Sequence, residues 1–349
     1  MSVYRLEAVI KNYIWGGTRL REYYGKKGDE PLAESWELSF HPDGLTRTAD
    51  ESTLKDVLDE AALGANCTRF SNFPLLVKLI DAKQPLSVQV HPSDAYALEN
   101  ESSYGKTEMW YIVEADEGAG IYLGFARETD EEELRLAIAD SCLEKFLNFV
   151  PVHAGECYFI PAGTVHAIGA GCLICEVQQN SNLTYRIYDY GRKDARGNPR
   201  ELHVEKALSV MNRAPYVPLS DYLPVDGETT LGISRYFHAA EITLSGEHTV
   251  HVDSASFLAL FCVAGEGIVQ NEPVSRGDGL FITANSGDIS LSGNATFITV
   301  SVRKYTLDAS GASATLKDDL GRIHAKASDL DGEALLAKYA LTKEDVEVC

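Results

Sequence analysis

Between Pro85 and Glu108 the sequence PLSVQVHPSDAYALENESSYGKTE gathers groups that can bind a metal or move a proton. If its first part is a strand, Ser87, Gln89 and His91 share one face, and Leu86, Val88 and Val90 share the other. Pro92 has no N–H for a ladder and ends that strand. A second polar cluster, Lys106-Thr107-Glu108, leads into the strand-like MWYIVEA. Lys106 and Glu108 share a face if the strand has already begun. An amide oxygen, an imidazole, an ammonium and a carboxylate are thereby assembled. Two amphipathic strands with solvated outer faces would give the same pattern, so a third segment decides.

That segment is GECYFIPAGTVH, Gly155 to His166. Its order of Gly, five residues, Pro, one residue, Gly, two residues, His resembles the second signature of the cupin superfamily. The spacing predicts a strand from Glu156 to Ile160, a stop at Pro161, a turn at Gly163 and a new strand entered at His166. A lone histidine in such a place is more often a satisfied core residue. Downstream of Gln-x-His and a glutamate, His166 reads as a metal ligand together with Gln89, His91 and Glu108.

The wording is more specific than the superfamily. LSVQVHPSDAYA, GKTEMWYIVEA, IPAGTVHAI and NLTYRIYDYGR, with YIWGG and ESWELS upstream, resemble the class I, zinc-dependent mannose-6-phosphate isomerases in order and spacing. The resemblance runs from about Tyr4 to Arg192, and more faintly to about Arg303. It implies a mainly β protein of two cupin-like barrels (jelly rolls), the first carrying a helical insertion. It implies one Zn²⁺ per chain, a sugar-phosphate substrate, and a catalytic group of Arg186, Lys106 and Glu176. Lys78, Ser87 and His41 are implied as substrate contacts.

The residues themselves leave some roles open. Lys78 lies inside the apolar run FPLLVKLIDAKQ, where it must be paired or reach the surface. Glu176 and Arg186 flank a turn at Asn180-Ser181-Asn182, and a hairpin would make them a salt bridge as readily as an active-site couple. His41, before Pro42, reads equally as an exposed strand end. Either Lys106 or Glu176 could serve as general base. Two neutral imidazoles, an amide and one carboxylate leave bound Zn²⁺ with net charge +1, which suits a Lewis acid stabilising an oxyanion. Gln89-x-His91 in place of the usual His-x-His counts against a cupin-type glucose-6-phosphate isomerase. The alternative from another class is a sugar-phosphate-binding or regulatory protein without isomerase activity. Such a protein would be expected to lose Lys106, Glu176 or Arg186.

These side chains need a scaffold. Alternation predicts an opening strand at Tyr4–Ile10, another at Glu34–Pro42, a buried strand through Lys78, and strands from Cys157 to Tyr190. Helical spacing predicts helices over Thr53–Leu63 and Thr129–Asn148, the latter being the insertion. Trp15 fits the core or the rim of a sugar site. After Ala214-Pro215 the composition resets, and residues 230–303 read as short alternating strands of a second barrel. Aligning GDGLFITANSGD on GECYFIPAGTVH sets Gly277 over Gly155, Asn285 over Gly163 and Asp288 over His166, a repeat whose metal signature has eroded. The divisions expected are a catalytic domain at 1–215, a degenerate second cupin domain at 216–305, and a helical tail at 306–349.

Composition bounds the rest. At 349 residues and 45% hydrophobic, the chain can bury one large core or two ordinary ones. A formal charge of −21 argues against nucleic acid, and would repel a sugar phosphate unless local cations hold it. No apolar run reaches the ~18 residues of a spanning helix, so no membrane partner is expected. The start, MSVYRLEAVIKNY, has no signal-like apolar stretch. Seven cysteines without a framework suit reduced thiols in a cytoplasm. Cys172 and Cys175 would face opposite ways on a strand and read as core thiols. A monomer or weak oligomer is expected.

Overall fold

Two strands, Leu75–Ala82 and Cys172–Gln179, are buried at every position, which requires cover on both faces. They pair at the centre of an antiparallel sheet of six strands. Its order is Cys157–Ile160, Glu108–Ala115, Cys172–Gln179, Leu75–Ala82, Glu34–Leu38, Val9–Lys11. The computed structural model describes residues 2–29, 31–193, 197–219, 221–310, 313–328 and 331–348. A five-stranded antiparallel sheet faces the first, ordered Leu147–Pro151, Gly120–Phe125, His166–Ile168, Val88–Val90, Tyr185–Tyr188. Between the sheets, Ile80, Trp110, Ile112 and Ile174 meet Ile121, Leu123 and Ile168. On the other side of the six-stranded sheet, Val77, Leu79, Met109, Cys175 and Val177 pack on Phe237, Phe257, Phe261 and Phe281. Each such side chain contributes on the order of 2 kcal/mol of burial. Cys172 and Cys175 do take opposite faces, one in each core.

Residues 229–301 build most of a third, eight-stranded sheet around the long strands His238–Val252, Leu258–Val269 and Gly287–Ser301. The molecule is thus mainly β. Among the described residues no sheet closes on itself. The division at residue 215 is crossed by the first strand: Val3–Glu7 pairs Val3 with Ile282 and Leu6 with Gly279. The internal repeat has a backbone counterpart. Strand Gly279–Ile282 lies where Cys157–Ile160 lies in the alignment, and Gly277 (φ 97°) matches Gly155 (φ 91°). Asn285 (φ 61°) matches Gly163 (φ 89°), asparagine being one of the few residues that tolerates this left-handed conformation.

Three helical expectations change. Thr129–Asn148 is not one helix. Asp130 caps Glu131–Ala139, Ser141 turns left-handed (φ 53°), and Leu147–Pro151 becomes an edge strand on Gly120–Phe125. Sheet pairing and burial of Leu147 with Phe125 and Tyr185 outweigh helical spacing. Thr53–Leu63 breaks into Leu54–Val57 and Glu60–Leu63, because Leu58 is extended and Asp59 caps a fresh turn. Among its described residues the tail holds one helix, Gly332–Lys338, beside a sheet of Tyr305–Ser310, Ser313–Asp318, Ile323–Ser328 and Glu347–Val348. Ala314 and Leu316, with Tyr305 and Leu307, follow period two and fill a small core with Leu335 and Leu336. Among the described residues, no helix is long and apolar enough to cross a membrane.

Candidate active site and metal centre

Register assembles the site. In the five-stranded sheet Gln89 stands opposite His166 on one side and Arg186 on the other. In the six-stranded sheet a row runs Trp36, Lys78, Glu176, Trp110 across four strands. Glu108 is two residues before Trp110, so alternation puts it on the same inner face. His91 and Glu108 are far apart in sequence, and the loop between them closes on itself. Lys106 N–H donates to the Pro92 carbonyl at 3.0 Å, and Gly105 N–H donates to Asp94 at 2.7 Å. Gly163 N–H donates to the His91 carbonyl at 2.8 Å, which fixes the expected turn against the ligand strand.

His91, Glu108 and His166 offer ligand atoms that all lie within 4.8 Å of one another, and all three are buried. His91 Nδ1 faces the Leu183 carbonyl at 2.9 Å, and His166 Nδ1 faces the Thr164 carbonyl at 2.8 Å. Carbonyls only accept, so each Nδ1 carries the proton and each Nε2 presents a lone pair inward. The Nε2 atoms lie 3.7 and 3.2 Å from the Glu108 carboxylate oxygens. The Gln89 amide nitrogen is 3.3 Å from His166 Nε2, and a turn of the amide directs its oxygen to the same point. Burial, then the Lys106 ammonium, push both imidazole pKa values down, that of His166 to about 4. Burial pushes Glu108 up, with Lys106 pulling the other way. Lys106 Nζ contacts Glu108, yet neither carboxylate oxygen accepts a directed hydrogen bond. Oε2 is neutralised by the Lys106 ammonium, while Oε1 faces the His166 lone pair with no donor between them, an arrangement that a divalent cation satisfies. The donor set fits one.

The centre opens into a cleft of about 280 Å³ whose lining includes Lys78, Ser87, Gln89, Lys106, Glu176 and Arg186. Glu176 does not pair with Arg186. Its Oε1 lies 3.0 Å from Lys78 Nζ and 3.8 Å from Lys106 Nζ, and Trp110 Nε1–H donates to Oε2 at 2.9 Å. Burial alone would raise the Glu176 pKa, but Lys106 and Lys78 together hold it below the usual range. Burial likewise opposes charge on Lys78, and Glu176 and Glu34 outweigh it. Lys78 therefore does not reach for the surface; it is an inward, paired cation. Arg186 donates through Nε to Ser87 Oγ at 3.3 Å and through a terminal nitrogen to the Glu201 carbonyl at 3.0 Å.

His41 is not among the cleft residues. Its Nδ1 accepts from the Asp43 N–H at 3.1 Å and its ring stands edge-on to Trp36, so its own turn consumes it. Tyr13, Trp15, Glu34, Asn182, Thr184 and Arg200 line the cleft as well. Trp15 is both buried and on the rim, so its two readings coexist. Glu34 had a signal: in ESWELS it shares a face with Trp36, whose Nε1–H donates to it at 2.7 Å. Arg200 had none, because only the tertiary path of the chain returns it to the cleft.

Residues 3–119 match the phosphomannose isomerase type I catalytic domain, and residues 227–302 match the mannose-6-phosphate isomerase cupin domain. A mannose-6-phosphate isomerase of Streptococcus mutans is 38% identical over 290 residues, covering 79% of this chain and 91% of that protein. The crystal structure of the mannose 6-phosphate isomerase from Bacillus subtilis superposes with a TM-score of 0.78 at 35% identity, covering 86% of this chain and 99% of that one. A mannose 6-phosphate isomerase structure bound with zinc and yttrium superposes with a TM-score of 0.69 at 22% identity, covering 86% and 99%, and shares the fold.

Proposed function

The chain belongs to the type I phosphomannose isomerase family, and on that premise we propose that it interconverts mannose 6-phosphate and fructose 6-phosphate by moving a proton between C2 and C1 of the open-chain sugar. The observation that carries this is the buried His91–Glu108–His166 group, whose ligand atoms lie within 4.8 Å of one another, opening onto a cleft with its own carboxylate, ammonium and guanidinium groups. Zinc held by Gln89, His91, Glu108 and His166 would supply Lewis-acid polarisation of the sugar's carbonyl and neighbouring hydroxyl oxygens.

The chain's own groups do the rest. Lys106 Nζ and Glu176 Oε1, 3.8 Å apart in the cleft, are the pair through which the C2 proton leaves and returns at C1 via an enediolate of the sugar, while the hydroxyl proton passes from O2 to O1. Lys78 keeps Glu176 ionised and in place. Arg186 and Ser87, joined by a hydrogen bond, offer donors to the phosphate, with Lys78 as a further substrate contact. Ile80, Leu86 and Ile168 line the cleft with apolar surface and limit water around the reacting carbons.

Both lobes belong to this reading as cupin jelly rolls, with a single zinc per chain in the first and a cytoplasmic location. Support for one metal comes from Asp288. It stands at the position matching His166, but is exposed and paired with His251 at 2.6 Å. A coupled assay of mannose 6-phosphate conversion, run before chelation, after it and after zinc return, tests the function. Activity is expected to vanish and come back. Pure, zinc-loaded protein that leaves mannose 6-phosphate unchanged would falsify the reading.

A further inference from the structure

We infer that Arg200, clamped by Asp189, is a second phosphate-binding arginine of the cleft, and that this clamp sets the preference for a phosphorylated sugar. The inference rests on the sugar-phosphate reading above. Four cations line the cleft: Lys78, Lys106, Arg186 and Arg200. The two lysines face Glu176, Glu34 and Glu108 and are compensated. Arg186, by contrast, has no carboxylate ion pair among the described residues; it donates to the Ser87 hydroxyl and the Glu201 carbonyl.

Arg200 is fixed rather than mobile. Its Nε donates to Asp189 Oδ2 at 2.6 Å and a terminal nitrogen donates to Oδ1. The fork is gripped on its Nε edge, which pre-organises the guanidinium and leaves its far terminal nitrogen without a carboxylate partner among the described residues. Asp189 is 5% exposed in its side chain and is shared with Arg192, whose Nε approaches at 3.1 Å. Arg192 is tied in turn to the Pro85 carbonyl at 2.6 Å, next to the strand that bears Ser87. Two arginines therefore share one buried carboxylate, and with Arg186, which has no carboxylate partner of its own, the group holds three cations against one anion, a net charge of +2. Glu201, whose charge also acts on Arg186, is 82% exposed and screened by solvent.

A phosphate monoester carries about −1.5 to −2 near neutral pH. It matches this group in sign and size, and bridging Arg186 and Arg200 would relieve their mutual repulsion. That repulsion is already felt: burial, then Arg200, pull the Arg186 pKa down. Asp189 touches no substrate in this arrangement. It is a positioning residue.

The test uses zinc-loaded full-length protein and three probes in calorimetry: sorbitol 6-phosphate, sorbitol and inorganic phosphate. Arg200→Ala should weaken sorbitol 6-phosphate roughly 10- to 100-fold, the loss of a hydrogen bond to a charged group. Binding of unphosphorylated sorbitol should not change. Arg200→Lys should recover part of the loss, and Asp189→Asn should weaken binding by about 3- to 10-fold with Arg200 still present. In turnover, KM for mannose 6-phosphate should rise more than kcat falls. Zinc content and melting temperature are measured alongside; if Arg200→Ala is unstable, Arg200→Gln takes its place. Unchanged sorbitol 6-phosphate affinity in the folded Arg200 variants overturns the inference, as does equal weakening for sorbitol. Arg200-dependent binding without any isomerisation by the wild type would uphold the phosphate site while sinking the isomerase reading.

Discussion

Replacing Lys78 with methionine removes one half of a buried ion pair and keeps the length of the side chain. Lys78 and Glu176 are 5% and 4% exposed, directly opposed on neighbouring strands, with Nζ 3.0 Å from Oε1. At that distance an effective dielectric constant of about 20 gives roughly 5.5 kcal/mol of gross attraction. Desolvating two ions costs several kcal/mol each, so the intact pair is close to break-even. Breaking one side strands the other, at about 3 to 5 kcal/mol. Glu176 would keep Lys106 at 3.8 Å and the Trp110 N–H at 2.9 Å, which places the loss near the lower end, about 3 kcal/mol. Adding Glu176→Leu should return most of it, because two apolar side chains suit the surrounding Trp36 and Trp110. The double variant should fold and be inactive. Urea unfolding of the wild type, both single variants and the double variant closes a cycle. Two results would refute the reasoning: a Lys78→Met cost below about 1 kcal/mol, which would mean that water reaches the pair, or a double variant as unstable as the sum of the singles.

Glu108→Gln should weaken zinc by about 100-fold or more, since it deletes the sole anion of the ligand set and substitutes a weaker carbonyl donor; full zinc content under chelator competition would exclude Glu108 as a ligand. Arg186→Lys should fold normally yet lose about 100-fold or more in kcat/KM, because one ammonium cannot reproduce the contacts to Ser87 and toward the phosphate; near-wild-type turnover would reduce the arginine to a charge. Asp318 accepts from Arg322 Nε at 2.7 Å and His324 Nε2 at 3.0 Å. Burial would raise its pKa, but His324 and Arg322 hold it well below the usual carboxylate range. A depressed folded pKa gives stability that is present above the unfolded value near 3.9 and lost as pH falls toward the folded one. Asp318→Asn should therefore cost about 3 kcal/mol at pH 7, with the gap to wild type narrowing below about pH 4 in urea titrations.

The sequence by itself carried three of the candidate metal ligands. Gln89, His91 and His166 lie within short motifs whose alternation and punctuation by Pro92, Pro161 and Gly163 are local properties of the backbone. It also carried the mainly β character, while it left Lys78 open between a buried pair and the surface, because a strand buried on both faces shows no period-two pattern. Tertiary structure decided what those faces meet. Lys78 became the partner of Glu176 through a cross-strand register that no local pattern encodes, and Arg186 was thereby left for another acceptor. Glu108 reached the histidines because a loop closed through Lys106 and Gly105. Arg200 entered the cleft because buried Asp189 drew two arginines onto one carboxylate. Val3–Glu7 crossed to the distant sheet, and Leu147–Pro151 left its expected helix, for a shared reason. An edge strand offers a full row of hydrogen-bond partners and apolar cover at once, and a chain segment sees that edge only when the fold brings it there.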